Sequence, residues 1–434
     1  MLGNTSSEPA ATVAPKPSGH YRWVICALLF FATTINYVDR AVISILKPNL
    51  MAELGWSETN YGDIMAAFSF AYAIGYAAAG RAVDLIGVRV GYAIAVVAWS
   101  LAAMGGGLMR TVTQFMLIRS ALGIAEGANF PACIKSISEW FPRRERAFAT
   151  GIFNSGSNVG VIIAPILIPW LTTSFGWPYA FYVTGALGFV WLVFWLLMYD
   201  APERHSRVTP EELAYIRSDP PEPQVHIPWL RLLSFRQVWA FIVGMALSSP
   251  IWWFWLGWTP GFLKAKFGVD LSQVAAPLIT IYLMADVGSI AGGWLSGRLM
   301  RQGFSVNASR KLAMLACALC VVPVFYAAQT DSKWVAILLI GVAASAHQGF
   351  SANLYTLVSD MAPRTAVSSI VGLGGMTAGF AAMGFQMLTG RLLDANPGAY
   401  QVIFLIASLA YLVDLLAIHL IVPRLERMEL TDRE

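Results

Sequence analysis

Hydrophobic residues along this chain are grouped in long blocks separated by short polar segments. A helix that crosses a bilayer needs about 20 predominantly apolar residues, and the blocks have that length. We therefore predict twelve membrane-spanning helices. They cover residues 22–46, 61–80, 88–109, 113–134, 147–171, 178–199, 237–262, 273–296, 311–328, 333–358, 366–390 and 400–422.

Composition supports an all-α integral membrane protein. Of the 434 residues, 57% are hydrophobic and only 12% are charged, which lies far outside the range of soluble domains. The net charge of +4 follows from basic loops and does not indicate nucleic-acid binding. The first twenty residues lack the short apolar core of a signal peptide, so we do not expect one to be cleaved.

One polar segment is much longer than the other loops and divides the chain into two sets of six spans. It carries several prolines and a run that predicts a short surface helix near residues 210–217. The expected organisation is a disordered cytoplasmic tail at 1–20, a six-helix bundle at 21–199, a cytoplasmic linker at 200–236, a second bundle at 237–423 and a tail at 424–434.

The basic residues predict the orientation. Most of the 29 Lys and Arg fall on one side of the predicted membrane, and cytoplasmic loops carry such an excess. We therefore expect both termini in the cytoplasm. The basic residues on the outer side are Lys47, Arg110, Lys264, Lys266, Lys333 and Arg391.

The two sets of spans repeat weakly in sequence. Equivalent residues recur at two nearly equal offsets, which indicates a duplicated six-helix unit. This is the parallel arrangement of the major facilitator fold, which places substrate between the halves near the midplane. The matched residues are Gly55 with Gly268, Gly80 with Gly293, Pro142 with Pro363, Gly151 with Gly372 and Tyr179 with Tyr400.

Four ionisable residues lie away from the ends of the predicted spans of the first half: Asp39, Arg40, Arg119 and Glu126. A charge near the bilayer centre costs at least about 2.5–3.5 kcal/mol, so such residues face protein or a water-filled cavity. From their depth we expect Asp39 to pair with Arg119, Glu126 to lie deeper, and Arg40 to be free. The alternative is a static cluster of ion pairs that joins helices.

These groups suit proton coupling and anion binding. A helix movement that makes or breaks a carboxylate–arginine contact moves a proton on or off the acid, so Asp39, Glu126 and Arg119 are the candidate coupling residues. The planar guanidinium of Arg40 matches a carboxylate through two hydrogen bonds. Arg40 is the first candidate for binding an anionic substrate, with Arg119 as its competitor.

Other polar residues within the spans suit a polyhydroxylated ligand. In the first half these are Tyr72, Asn154 and Asn158; in the second half they are His347, Gln348 and Asn353. Asp286 is either a second titrating site or a partner for a neighbouring helix, and Asp414 is interpreted as structural. We expect no metal and no cofactor other than protons, and no enzyme activity, since no nucleophile–base pair or metal cluster is apparent.

The loop after the second predicted span reads Gly80-Arg81-Ala82-Val83-Asp84-Leu85-Ile86-Gly87-Val88-Arg89. It resembles the major facilitator signature loop, GxxxDxxGxR. The resemblance implies that Gly80, Asp84, Gly87 and Arg89 form a gating motif that latches the inner gate. Leu85 stands where that motif usually has a basic residue.

Three motifs carry a narrower resemblance. Asn36-Tyr37-Val38-Asp39-Arg40, the pattern from Arg119 through Gly123, Glu126 and Gly127 to Pro131, and Glu139-Trp140-Phe141-Pro142 resemble the anion:cation symporter family. The stretches 285–288 and 346–353 look like its hexuronate transporters. The resemblance implies import of a sugar acid with protons. It also implies protonation at Asp39 and Glu126, substrate contacts from Arg40 and Tyr72, and Arg119 as partner of the acids.

Alternatives stay open at this point. The cargo could be an aldonate, a tartrate-like acid or an aromatic acid, and the protein could be an exchanger or a uniporter. A different class is a membrane receptor that senses an acid without moving it. The expected partners are the sugar acid and the lipid bilayer, with no nucleic acid, and the chain is expected to be monomeric.

Overall fold

The computed structural model describes residues 19–219 and 228–428, and every regular element within them is a helix. Most of the predicted tail at 1–20, part of the linker at 200–236 and the end of the tail at 424–434 lie outside the described residues. Within the described linker, two short helices occur, α9 (Pro210–Ile216) and α10 (Trp229–Leu232). The first of these confirms the predicted surface helix.

The first half consists of eight helical segments that form six spans. Capping boxes start two of them: Ser57 with Asn60 at α3, and Thr111 with Gln114 at α5, which satisfies free N–H groups of the first turn. The segments are α1 (Tyr21–Ile45), α2 (Lys47–Leu54), α3 (Glu58–Ile86), α4 (Val88–Gly105), α5 (Val112–Glu126), α6 (Asn129–Trp140), α7 (Arg143–Phe175) and α8 (Trp177–Met198).

The second half repeats this architecture with six long helices. They are α11 (Arg236–Phe267), α12 (Ala275–Arg301), α13 (Val306–Val321), α14 (Lys333–Met361), α15 (Arg364–Ala395) and α16 (Tyr400–Ile421). A 3-10 helix at Val322–Ala328 extends α13 to the length of a span.

Twelve transmembrane helices are present, as predicted. Ten helices in the described part are long and apolar enough to cross a membrane. The other two spans depart from this simple pattern. Asp63 and several tyrosines interrupt the apolar character of α3, and the fourth span is divided into α5 and α6 near Gly127. At Gly127 an added Cβ would lie 2.5 Å from the backbone nitrogen of Tyr76, so only glycine allows this close helix contact.

The predicted sequence repeat has a counterpart in backbone geometry. Gly55 and Gly268 both end a helix in the left-handed conformation, with φ of 68° and 63°. Pro142 and Pro363 both precede a long helix in the same extended conformation. The equivalence of these positions supports two pseudo-symmetric bundles.

The two halves are in tight contact at the end away from the chain termini, which we call the distal end. There α3 packs on α15 so closely that a Cβ on Gly62 would lie 2.7 Å from the Gln386 carbonyl oxygen. The Asp394 carboxylate accepts hydrogen bonds from the backbone N–H groups of Glu58 and Thr59, both at 2.8 Å. These contacts close the distal end.

A buried ion pair reinforces the distal closure. Lys47, which is 1% exposed, lies 2.5 Å from the Glu58 carboxylate. Its ammonium group lies 4.3 Å from the ring centroid of Trp258 on α11, in the other half. The Lys47 ammonium of the first half is thus in contact with an aromatic ring of the second half.

Candidate functional site

Arg40 and Glu126 form an ion pair between α1 and α5. Nε and Nη2 of Arg40 lie 3.1 and 3.0 Å from the same Glu126 oxygen, and Nη2 also donates to Asn36 Oδ1 at 3.3 Å. Glu126 is fully buried and the Arg40 side chain is 11% exposed. The expectation that Arg40 would be free is therefore wrong. Arg40 binds Glu126, the acid that was predicted to lie deeper.

Aromatic rings surround the Arg40 guanidinium. Its central carbon lies 4.7 Å from the ring centroid of Tyr72, 4.8 Å from Tyr37 and 5.3 Å from Phe68. Trp253 of α11 contributes a fourth ring from the second half, at 5.5 Å. Cation–π contacts of this kind stabilise a charge that is largely removed from water and fix its position.

Asp39 and Arg119 are buried nearby but do not form the predicted pair. Arg119 lies 4.3 Å over the ring of Phe68, and none of its side-chain nitrogens has a hydrogen-bond partner among the described residues. Both Asp39 oxygens likewise lack one there, and the acid faces Thr184 on α8. The depth estimate was adequate, but the two side chains point to different neighbours.

A cavity lies beside this cluster, between the two halves. A water-sized sphere can occupy only about 20 Å³ of it, so the cavity is narrow in this state, and it is lined mainly by aromatic and aliphatic side chains with few polar groups. Such a mixture suits a small ligand whose apolar faces pack on rings and whose charge is held at one point. The lining residues that bear on binding are Tyr37, Arg40, Ser44, Phe68, Trp253 and Tyr282.

We call the end that carries the chain termini the proximal end. Tyr355 of α14 faces Tyr37 and Tyr72 of the first half, yet 41% of its surface is exposed. Asn154, one of the predicted binding residues, is also exposed, on α7. Asn158, one turn further along α7, is half-buried and accepts a hydrogen bond from Ser157 at 3.3 Å.

The predicted polar residues of the second half do not meet around Arg40. His347 is buried, stacks on Trp252 at 5.0 Å and is hydrogen-bonded to the Tyr411 hydroxyl at 2.7 Å. Asn353 donates to the carbonyl oxygens of Gly292 and Gly349 at 3.0 and 2.9 Å, which joins α12 to α14. Gln348 is half-buried on the same helix.

Two cavity residues of the second half were not identified from sequence: Trp253 and Tyr282. The available signal was weak, since aromatic residues in spans are common at the lipid interface as well. Trp253 stands in sequence beside Trp252, Trp255 and Trp258, and such a cluster is equally typical of lipid contact. Only its position opposite Arg40 distinguishes it.

The signature loop is partly described. Gly87 has a φ of 81° between α3 and α4, a conformation that favours glycine. Arg89 donates to the Asp200 carboxylate at 2.8 Å and to the Leu196 carbonyl at 2.9 Å, which ties α4 to the end of α8. The surroundings of Gly80 and the side chain of Asp84 lie outside the described part of the structure.

Two repeated six-helix bundles around one central cavity are the architecture of secondary membrane transporters. Residues 29–386 match the Major Facilitator Superfamily, and the chain belongs to that superfamily.

Relatives and solved structures are transporters too. The chain is 34% identical to a hexuronate transporter of Escherichia coli, over 86% of this chain and 88% of that protein. It is 34% identical to a galacturonate transporter of Dickeya chrysanthemi, over 74% of this chain and 95% of that protein. A D-galactonate transporter of Escherichia coli is 27% identical over 92% and 96% of the two chains. A solved bacterial homolog of the human lysosomal transporter Spinster, inward-facing and occupied, has a TM-score of 0.76 at 19% identity over 93% and 97% of the chains.

Proposed function

We propose that this protein imports a sugar acid, a hexuronate such as glucuronate or galacturonate, together with protons. The observation that carries the proposal is the Arg40–Glu126 ion pair at the wall of the central cavity. The relatives named for hexuronate and galacturonate transport support this choice of cargo. A single planar cation beside aromatic rings suits a sugar ring that carries one carboxylate.

Competition for Arg40 provides a mechanism of coupling. The two nitrogens that bind Glu126 are those that a substrate carboxylate would use, because both ligands are planar anions. A proton on Glu126 removes its negative charge and releases the guanidinium for the sugar acid. Asp39 and Arg119 lie close enough to influence the charge of Glu126 and belong to the same coupled set.

Alternating access follows from the asymmetric contacts of the two ends. We place both termini in the cytoplasm of a bacterium, in agreement with the distribution of basic residues, so the distal closure faces outward. In this state the cavity communicates with the cytoplasm, and Glu126 holds Arg40 after the substrate has left. Separation of α3 from α15 then exposes the cavity to the outside, where proton and substrate bind.

Transport assays with purified protein test the proposal. Proteoliposomes would be given labelled galacturonate or glucuronate, with and without an inward proton gradient. We expect accumulation above the external concentration only with the gradient, together with acidification of the lumen. Equal uptake under both conditions, without a change in luminal pH, would remove the coupling claim.

A second cargo is favoured by one observation, the similarity to a D-galactonate transporter. An aldonate has the same carboxylate but an open chain, so it would use Arg40 and fewer ring contacts. Thermal shifts with a panel of hexuronates, aldonates and aromatic acids separate these cargoes. Binding without measurable flux would instead favour a receptor.

A further inference from the structure

A second buried carboxyl group lies in the other half of the molecule and takes no part in the mechanism above. Asp414 on α16 has no exposed surface, and neither of its oxygens has a hydrogen-bond partner among the described residues. It lies about four turns from the distal start of its helix, as Glu126 does in α5. The two acids therefore lie equally far along their helices, one in each half of the molecule.

The group that faces Asp414 is an acceptor. Ser248 on α11 lies against the carboxyl group, without meeting hydrogen-bond geometry. The Ser248 hydroxyl already donates its hydrogen to the Gly244 carbonyl at 2.6 Å, so it offers only lone pairs to Asp414. In that arrangement a carboxylic acid could donate its own hydrogen to Ser248, whereas a carboxylate would gain no hydrogen bond.

Among the described residues, Asp414 forms no ion pair with the elements packed against α16. The cations of α11 lie at its two ends, at positions 236, 264 and 266. On α13, the ammonium of Lys311 lies 2.7 and 2.8 Å from the carbonyl oxygens of Val422 and Pro423, beyond the proximal end of α16. The segment Val322–Ala328 contributes Tyr326, which is exposed. From α14, His347 is hydrogen-bonded to Tyr411. An unpaired carboxylate in such a place is strongly disfavoured, which leaves the neutral acid.

A chain of contacts connects Asp414 to the cavity wall. Tyr411 is three residues before Asp414 on α16, on the same helix face. Its hydroxyl lies 2.7 Å from Nδ1 of His347, and the imidazole stacks on Trp252 with an angle of 6° between the planes. The next residue, Trp253, lines the cavity and contacts Arg40.

We propose that the second half carries a proton of its own on Asp414, and that Tyr411, His347 and Trp252 link this acid to the wall of the substrate cavity. The first half has a comparable arrangement, in which Asp39 on α1 faces the Thr184 hydroxyl of α8. Each half thus buries one acid against a hydroxyl of its other terminal span. The inference concerns a proton and is separate from the identity of the transported anion.

Infrared spectroscopy of the purified protein near neutral pH tests the proton directly, because a carboxylic acid has a C=O stretch that a carboxylate lacks. We expect a carboxylic acid band that is lost in Asp414→Asn and retained in Asp331→Asn, an exposed control. Identical spectra of wild type and Asp414→Asn would overturn the proposal.

A second variant keeps the test decisive if Asp414→Asn does not fold. Ser248→Ala leaves the acid in place but removes the hydroxyl that faces it, so the band should shift in frequency. An unchanged band in Ser248→Ala would contradict the assignment of this band to Asp414.

A separate measurement tests the proposed link between Asp414 and the wall of the cavity. Addition of galacturonate should shift the Asp414 band in wild type, and Tyr411→Phe should keep the band but abolish this shift. Persistence of the shift in Tyr411→Phe would refute the link. If galacturonate does not bind at all, the proposed cargo fails while the assignment of the proton stands.

Discussion

Gly390 controls how closely the halves approach at the distal end. A Cβ at this position on α15 would lie 2.6 Å from the carbonyl oxygen of Glu58 and 3.0 Å from Cα of Thr59. Both are backbone atoms of α3, which cannot rotate away. Gly390→Ala therefore forces the two helices apart. This steric conflict arises only in the state that is closed at the distal end.

The size of the effect follows from the usual cost of overpacking. Inserting one carbon into a tight contact costs about 1–3 kcal/mol. Since the distally open state separates α3 from α15 and avoids this cost, the ratio of open to closed molecules should rise by roughly 5- to 150-fold.

Labelling from the outside measures this ratio. Met65 lines the cavity and is 5% exposed, so a cysteine there reacts with a membrane-impermeant maleimide only when the distal end opens. The four native cysteines would first be replaced. We expect much faster labelling of Met65→Cys when Gly390→Ala is also present.

Gly384→Ala is the matched control on the same helix. A Cβ at Gly384 has no neighbouring atom within 4 Å, so this change has the same effect on helix propensity without a steric consequence. Equal labelling rates in Gly390→Ala and Gly384→Ala would refute the inferred role of the α3–α15 contact in closure.

Three further changes have defined outcomes. Arg40→Lys keeps the charge but loses the planar pair of donors, so calorimetry should find sugar-acid binding weaker by roughly 10- to 100-fold; unchanged affinity would exclude Arg40 as the anion site. Asp394→Ala removes the acceptor of two N–H groups at the start of α3, and we expect faster distal labelling by up to about tenfold, whereas slower labelling would contradict this. Arg22 is 2% exposed and pairs with Glu145 and Glu212, so Arg22→Met should destabilise the protein by roughly 2–4 kcal/mol, measured by a lower melting temperature; an unchanged one would argue against this pairing.

The twelve spans could be predicted because the bilayer sets the length of an apolar helix. The pairs Gly55 with Gly268 and Pro142 with Pro363 also identified the repeat, since each marks a backbone conformation that both halves require. These features depend on local sequence and on the thickness of the membrane.

The partners within the site could not be predicted in the same way. Asp39 and Arg40 are adjacent on α1 and point about 100° apart, and only the packing of α1 against α5 decides which of them meets Glu126. Counting residues along a helix does not give the direction of a side chain.

The same limit applies in the second half. His347 was expected at the substrate, but its helix face meets Trp252 and Tyr411. Trp253 and Tyr282 line the cavity, and sequence alone does not separate them from aromatic residues that face lipid.

The pH dependence of sugar-acid affinity tests the competition for Arg40 most directly. In wild type, calorimetry with galacturonate should find binding that weakens as pH rises, by about tenfold per pH unit once Glu126 ionises, because the freed carboxylate reclaims Arg40. Glu126→Gln resembles the protonated acid, so its affinity should be high and nearly independent of pH. The same slope in Glu126→Gln and wild type would contradict the account.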